Sequence, residues 1–200
     1  MNLPLFPLNS VVFPEGVLSL RIFESRYLDM VKECSRHQSE FVVCLIKDGS
    51  EVGNAAKHQN IGTACRIIDW ETLPDGLLGV TVQGQSRVKV NATQVQANQL
   101  LIADVEYLLE DDDETLPEKF KEWPHLISAI IKALGEPFSS QAQKLQSAHW
   151  VAARLSEYLP FELNQKQRIL EIDNPLVRLE NLQDVLKGIE YYYSHGNFNN

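Results

Sequence analysis

PLNSVVFPEGVLSLRIFESRY, residues 7–27, is a dense apolar stretch broken by Pro14 and Gly16. Its second half alternates, with Leu18, Leu20 and Ile22 on one face and Ser19 and Arg21 on the other. Period-two alternation predicts a half-buried strand. The preceding LPLFPLN reads as a short, edge-like strand, because proline cannot donate to a ladder. Pro14, Glu15 and Gly16 then form the loop between the two strands. Beyond them, Tyr27, Leu28, Val31 and Cys34 fall on one helical face, with Ser25 as the expected cap. The stretch does not read as an export signal. No basic residue precedes Arg21, and Pro4, Pro7 and Pro14 interrupt any apolar helix.

Working outward, FVVCLI (Phe41 to Ile46) is a continuous apolar run, expected as a strand buried on both faces. Lys47 to Asn60 is polar and reads as a loop. IGTACRIIDW and LLGVTVQG predict two strands joined at TLPDG, where Asp75-Gly76 is a strong turn pair. RVKV continues the second of these past a bend or bulge at Gly84. LLIADVEYLLE gives the last strand, with Leu101, Ala103, Val105, Tyr107 and Leu109 on one face. At EDDDET the pattern changes, and a run of like charges predicts a solvated linker over residues 110–116. After it the period is helical. Leu126, Ile127, Ile130, Ile131 and Leu134 mark one helix, closed by Gly135 and Pro137. Leu145, Ala148, Ala152, Leu155 and Leu159 mark a second, stopped by Pro160. Asn164 with Gln167 suggests a capping box for a third, and Asp173-Asn174-Pro175 opens a fourth. The expected organisation is a mostly antiparallel β part with one helix over residues 1–109, a helical part over 117–193, and a frayed tail over 194–200.

Of the 200 residues, 44% are hydrophobic and 22% charged, an ordinary globular composition. The formal net charge of −9 repels phosphate backbones and disfavours broad nucleic-acid binding. Three cysteines without a CxxC pair fit reduced, buried thiols. No apolar run approaches the ~20 residues of a membrane helix, so a soluble, cytoplasmic chain without membrane attachment is expected. There is no P-loop, HExxH, GxSxG or zinc spacing, and no cofactor or metal is expected. Ser86 and Lys89 match a bare SxxK pattern, but in a strand residues three apart point to opposite faces. The carboxylates of the linker lack the spacing and turn glycine of a calcium loop, and His149 beside an apolar helical stripe reads as a core-edge residue.

What remains is surface recognition. Phe13, Phe23, Tyr27 and Trp70 lie near strand ends or the first helix start. Core packing accounts for such residues in most proteins. The alternative is an apolar groove that accepts an extended polypeptide, with Arg26 or Arg87 orienting it. An open strand edge would add main-chain hydrogen bonds and pockets would take alternate side chains.

Three ordered blocks carry a resemblance. LPLFPLNSVVFPEGVLSLRIFESRYLDMV holds Pro7-Leu8, the Val11–Gly16 loop, the Val17–Ile22 strand and Phe23-Glu24-Ser25-Arg26-Tyr27. IGTACRIIDWETLPDGLLGVTVQGQSRVKV holds Gly62-Thr63, Leu73 to Gly76, and Gly84 to Arg87. LPFELNQKQRILEIDNPLVRLENLQDVL holds Lys166-Gln167, Leu170-Glu171 and Arg178-Leu179. Together they resemble the LON domain, the N-terminal substrate-binding domain of Lon (La) ATP-dependent proteases, over nearly the whole chain. The resemblance implies an α+β fold, a PUA-like β barrel followed by a helical bundle. It also implies binding of unfolded or extended polypeptide, or of a partner protein of the proteolysis machinery. Lon's ATPase and Ser-Lys peptidase domains have no counterpart here, so a stand-alone, non-catalytic module is expected. The PUA-like fold also occurs in RNA-binding proteins, which leaves a small-molecule or RNA-binding module as the alternative.

Overall fold

The computed structural model describes residues 1–109 and 114–195, with side chains of the last helix through residue 187. The seven strands found there are β1 (Asn2–Leu8), β2 (Val17–Ile22), β3 (Phe41–Asp48), β4 (Lys57–His58), β5 (Ile61–Thr72), β6 (Leu78–Val95) and β7 (Leu101–Tyr107). Helix α1 (Ser25–His37) lies among the strands. A 3-10 turn (Glu118–Phe120) and helices α2 (Trp123–Leu134), α3 (Ala148–Tyr158), α4 (Leu163–Leu170) and α5 (Pro175–His195) follow them. The acidic run 110–113 and residues 196–200 of the expected tail lie outside the described residues. Glu114 to Leu116, the end of the expected linker, are hydrogen-bonded to 146–148, and Thr115 bridges Ser147.

All strand pairings are antiparallel except β1 with β3. Their order is β1-β7-β6-β5-β3-β4, with β2 added to β6. Because β1 pairs both β7 and β3, the sheet curls round on itself, with β4 added beyond β3 and β2 standing off the path beside β6. The expected mostly antiparallel α+β fold is therefore found, as a curled seven-stranded sheet rather than a closed barrel. β1 is not an edge strand. Residues 2–5 pair with β7 and 5–8 with β3, so Pro4 and Pro7 each face a single neighbour. That stagger is what lets an inner strand carry two residues without an N–H.

The sheet buries both faces. Leu5, Val42, Cys44, Ala64, Val88 and Ala103 form one core. Phe6, Leu8, Ile22, Phe41, Val43 and Val82 form another, closed by Tyr27, Met30, Val31 and Cys34 of α1. Alternate residues of β1 and β3 thus go to opposite cores, as period two requires. The run Phe41–Leu45 is buried throughout. The cap of α1 is Glu24 rather than the expected Ser25. Gly84 does mark an irregularity, because the β5–β6 register slips between Thr63–Arg87 and Cys65–Gly84.

The helical part has its own core of Phe120, Ile127, Ile131, Trp150, Leu155, Leu170, Leu179 and Leu182. Ser147 caps α3, accepting from the Trp150 N–H, so that helix starts at Ala148 and excludes Leu145. The capping box of α4 is Glu162 with Gln165, two residues earlier than expected. Asn174 Oδ1 accepts from the N–H groups of Leu176 and Val177 at the start of α5. The three cysteines are free and buried. Burial pushes the Cys44 thiol up to about 12 and raises Cys34 and Cys65 as well, which leaves them protonated and unreactive. No helix among the described residues is long and apolar enough to cross a membrane.

Candidate functional site

A groove of about 320 Å³ opens beside β2. Phe6, Leu8 and Ser10 line one wall, alternate residues of β1 and the segment leaving it. Leu18 to Ile22 of β2 line the other, with Leu18, Leu20 and Ile22 as its apolar part. Phe23, Glu24 and Tyr27 close one end, joined by Glu51. A second depression of about 230 Å³ continues past Ser10 and Leu18, which line both, toward Leu134, Phe138, Tyr158 and Leu163 of the helical part.

The sequence-chosen residues divide. Phe23 is 52% exposed and stands at the rim. Tyr27 is buried but forms part of the wall, its ring stacked on Phe6 with centroids 3.8 Å apart. Burial raises its phenol to about 12, against the opposing pull of Arg26, so it stays neutral. Arg26 is buried behind the wall, its guanidinium 4.5 Å from the Tyr27 ring centre. It donates to the Gln99 carbonyl at 3.0 Å and pairs with Glu24 at 3.1 Å. Arg26 therefore braces the groove instead of reaching an occupant.

The other three lie elsewhere. Trp70 is 69% exposed on the β5–β6 hairpin, beside a different depression lined by Ser35, His37, Arg66 and Ile68. Phe13 is wholly buried in the helical core. Arg87 is equally enclosed, donating to the Leu170 carbonyl at 2.9 Å and to Asp173 at 2.9 Å. Neither is open to a docked chain: the two residues fasten the sheet to the helices. Phe6, Leu8, Leu18, Leu20 and Ile22 are apolar groove residues outside the set chosen from the sequence. Their signal was the alternation 6, 8, 10 and 18, 20, 22, which marks a face without telling core from groove.

The loop behind the groove is pinned by a largely buried carboxylate. Glu157 of α3 accepts from the Phe13 N–H at 2.9 Å and pairs with Arg154 at 3.0 Å. Arg154 also donates to the Pro14 carbonyl at 2.8 Å. Burial raises the Glu157 carboxyl above its ordinary 4.5, and Arg154 only partly offsets this. A raised carboxyl binds its proton more tightly in the folded chain. Its contribution to stability is thus fully present below 4.5 and is lost as pH rises through the raised value. In urea titrations across that window, wild type is expected to lose stability relative to Glu157→Gln as pH rises. A constant difference between the two would show that Glu157 titrates normally.

The ATP-dependent protease La (LON) substrate-binding domain model matches residues 2–188. The chain is 25% identical over 194 residues to Lon protease 2 of Desulfotalea psychrophila, covering 92% of this chain and 24% of that protein. It is 23% identical to the Lon protease of Haemophilus influenzae, with 93% and 24% covered. It thus spans about a quarter of the length of the curated relatives it matches. Among solved structures, a Lon N-terminal domain protein from Xanthomonas campestris superposes with a TM-score of 0.75 at 34% identity, covering 92% of this chain and 98% of the other. The N-terminal domain of the Mycobacterium avium complex Lon protease shares the fold, with a TM-score of 0.62 at 13% identity over 92% and 97%. The resemblance carried by the three sequence blocks is borne out, and the chain belongs to the ATP-dependent protease La (LON) substrate-binding domain family.

Proposed function

We propose that this chain is a polypeptide-binding module that holds apolar, extended segments of unfolded or partner proteins in the groove beside β2. It performs no hydrolysis of its own, needs no cofactor, and works in the cytoplasm. The observation that carries this reading is the groove itself, with Phe6, Leu8, Leu20 and Tyr27 inside and the half-exposed Phe23 at its lip. A large apolar side chain left in water beside an apolar cleft is a feature of docking surfaces. Family membership supports the same reading, since the family is described as substrate-binding.

The test is titration of the protein with fluorescein-labelled, reduced and carboxymethylated α-lactalbumin, a permanently unfolded probe. Saturable binding is expected, weakened about tenfold by Phe23→Ser, the loss of roughly one buried aromatic contact. Trp70→Ser is expected to leave it unchanged, because Trp70 lines a different depression. Binding no stronger than that of an unrelated acidic protein would overturn the reading.

A further inference from the structure

Strand β2 pairs on one side only. Its six residues run in unbroken register with β6, Val17 opposite Gln83 through Ile22 opposite Leu78. Among the described residues no main-chain group pairs with its other edge.

The phase of the ladder shows which peptide groups are open. In an antiparallel pair, hydrogen-bonded and non-hydrogen-bonded positions alternate. The Gly84 N–H donates to the Gly16 carbonyl at 2.8 Å. Counting along β2, Leu18, Leu20 and Ile22 therefore bond to β6. The other side of β6 agrees, because the Leu73 N–H donates to the Leu77 carbonyl at 2.8 Å. That bond assigns the odd residues of β6 to β5 and leaves Leu78, Val80 and Val82 for β2. Val17, Ser19 and Arg21 thus direct N–H and C=O away from the sheet, along the line of the groove.

Exposed edges are commonly blunted by proline, a bulge or lysine. β2 has no proline, no bulge and no lysine, and Arg21 is held by Asp75 of the β5–β6 hairpin. The edge is instead recessed between the two depressions that share Ser10 and Leu18. Of the charged residues lining the groove, Arg21 is paired with Asp75 and Glu24 with Arg26, and the Glu51 carboxylate accepts from the Asn9 N–H, in a chain whose net charge is −9. With those groups already engaged, the site favours an uncharged segment over an acidic one.

Resting on the reading above, we infer that the occupant binds as an added β-strand on β2, through the peptide groups of Val17, Ser19 and Arg21. The segment it selects is extended and uncharged, with apolar side chains at every second position to fill the groove over Leu18, Leu20, Phe6 and Leu8. Six residues cover the edge, about 20 Å of strand. Affinity comes from the main chain, and preference from the alternating side chains.

Amide hydrogen exchange followed by NMR on the full chain, with and without carboxymethylated α-lactalbumin, tests this. In the free protein the amides of Val17, Ser19 and Arg21 are expected to exchange fast and those of Leu18 and Leu20 slowly. With the probe bound, the three odd-numbered amides are expected to slow by about tenfold or more, with the even ones unchanged. Ser19→Pro removes one outward N–H without touching the β6 ladder and is expected to weaken the probe about tenfold, while Trp70→Ser, at a different depression, does not. Binding without that odd-numbered protection overturns strand addition and leaves the polypeptide-binding reading standing. Failure of the probe to bind at all overturns both.

Discussion

Replacing Arg87 by alanine is expected to destabilise the chain by about 3–5 kcal/mol, from emptying a large buried side chain and stranding an acceptor it served. The side chain is fully buried in the middle of β6 and reaches across to the helical part. It donates to the carbonyls of Leu170 at 2.9 Å and Ile172 at 3.3 Å, where α4 ends. The Leu170 carbonyl belongs to the last turn of α4, which has no donor of its own to offer it, while the Ile172 carbonyl, past the cap, also accepts from Arg178 Nε at 2.6 Å. The arginine also meets the favourable, negative end of the helix dipole there. Alanine leaves a cavity and takes a donor from the buried Leu170 carbonyl, two of the mechanisms behind the largest single-site losses. The ion pair with Asp173 contributes less than its 2.9 Å suggests, because the Asp173 side chain is 71% exposed and water screens it. Asp173→Asn is therefore expected to cost about 1 kcal/mol or less. Urea denaturation of both variants checks the pair. Equal, small losses would mean that the carbonyl contacts carry no weight.

The same residue shows where sequence reading stops. The strand around it was legible, since RVKV follows a turn pair and an alternating run. Its partners lie more than 80 residues away, and no local pattern announces them. An arginine in an alternating strand reads as a surface residue until a second element covers it. Phe13 could be core or groove on local grounds alone, and it plugs the helical core. Phe23 and Tyr27 do come together beside β2, because the strand-to-helix junction fixes their directions locally. The box that opens α4 was missed by two residues because glutamate at Glu162 is an uncommon cap, while Asn164 is a favoured residue type. The groove itself joins Leu8, Leu20 and Glu51, which local periodicity cannot connect.

Gly84→Ala is expected to cost about 3 kcal/mol, at the upper end of the range for overpacking a dense site. A Cβ there would stand 2.3 Å from the Phe13 carbonyl oxygen, and 3.1 Å from both Thr63 Cγ2 and Val12 Cγ1. The nearest atom is backbone, so no rotamer change relieves it. The backbone is also held fast. Gly84 donates to the Gly16 carbonyl and accepts from the Glu15 N–H, each at 2.8 Å. The Val12 carbonyl is fixed by the Thr63 hydroxyl at 2.6 Å, and the Phe13 N–H by Glu157. Gly76 gives the contrast. It needs glycine because its φ is +83°, with open space around it, so alanine there is expected to cost about 1–2 kcal/mol of local strain. The two variants also part in function. The Gly76 turn lies at the far end of the hairpin from Gly84, so its variant should bind the unfolded probe normally. Gly84 sets the spacing between the Val12–Gly16 loop and the start of β2, and so the mouth through which a segment meets Val17. Its variant should lose both stability and affinity. A Gly84→Ala chain that kept wild-type affinity while losing stability would place the binding edge nearer Ile22, away from the loop.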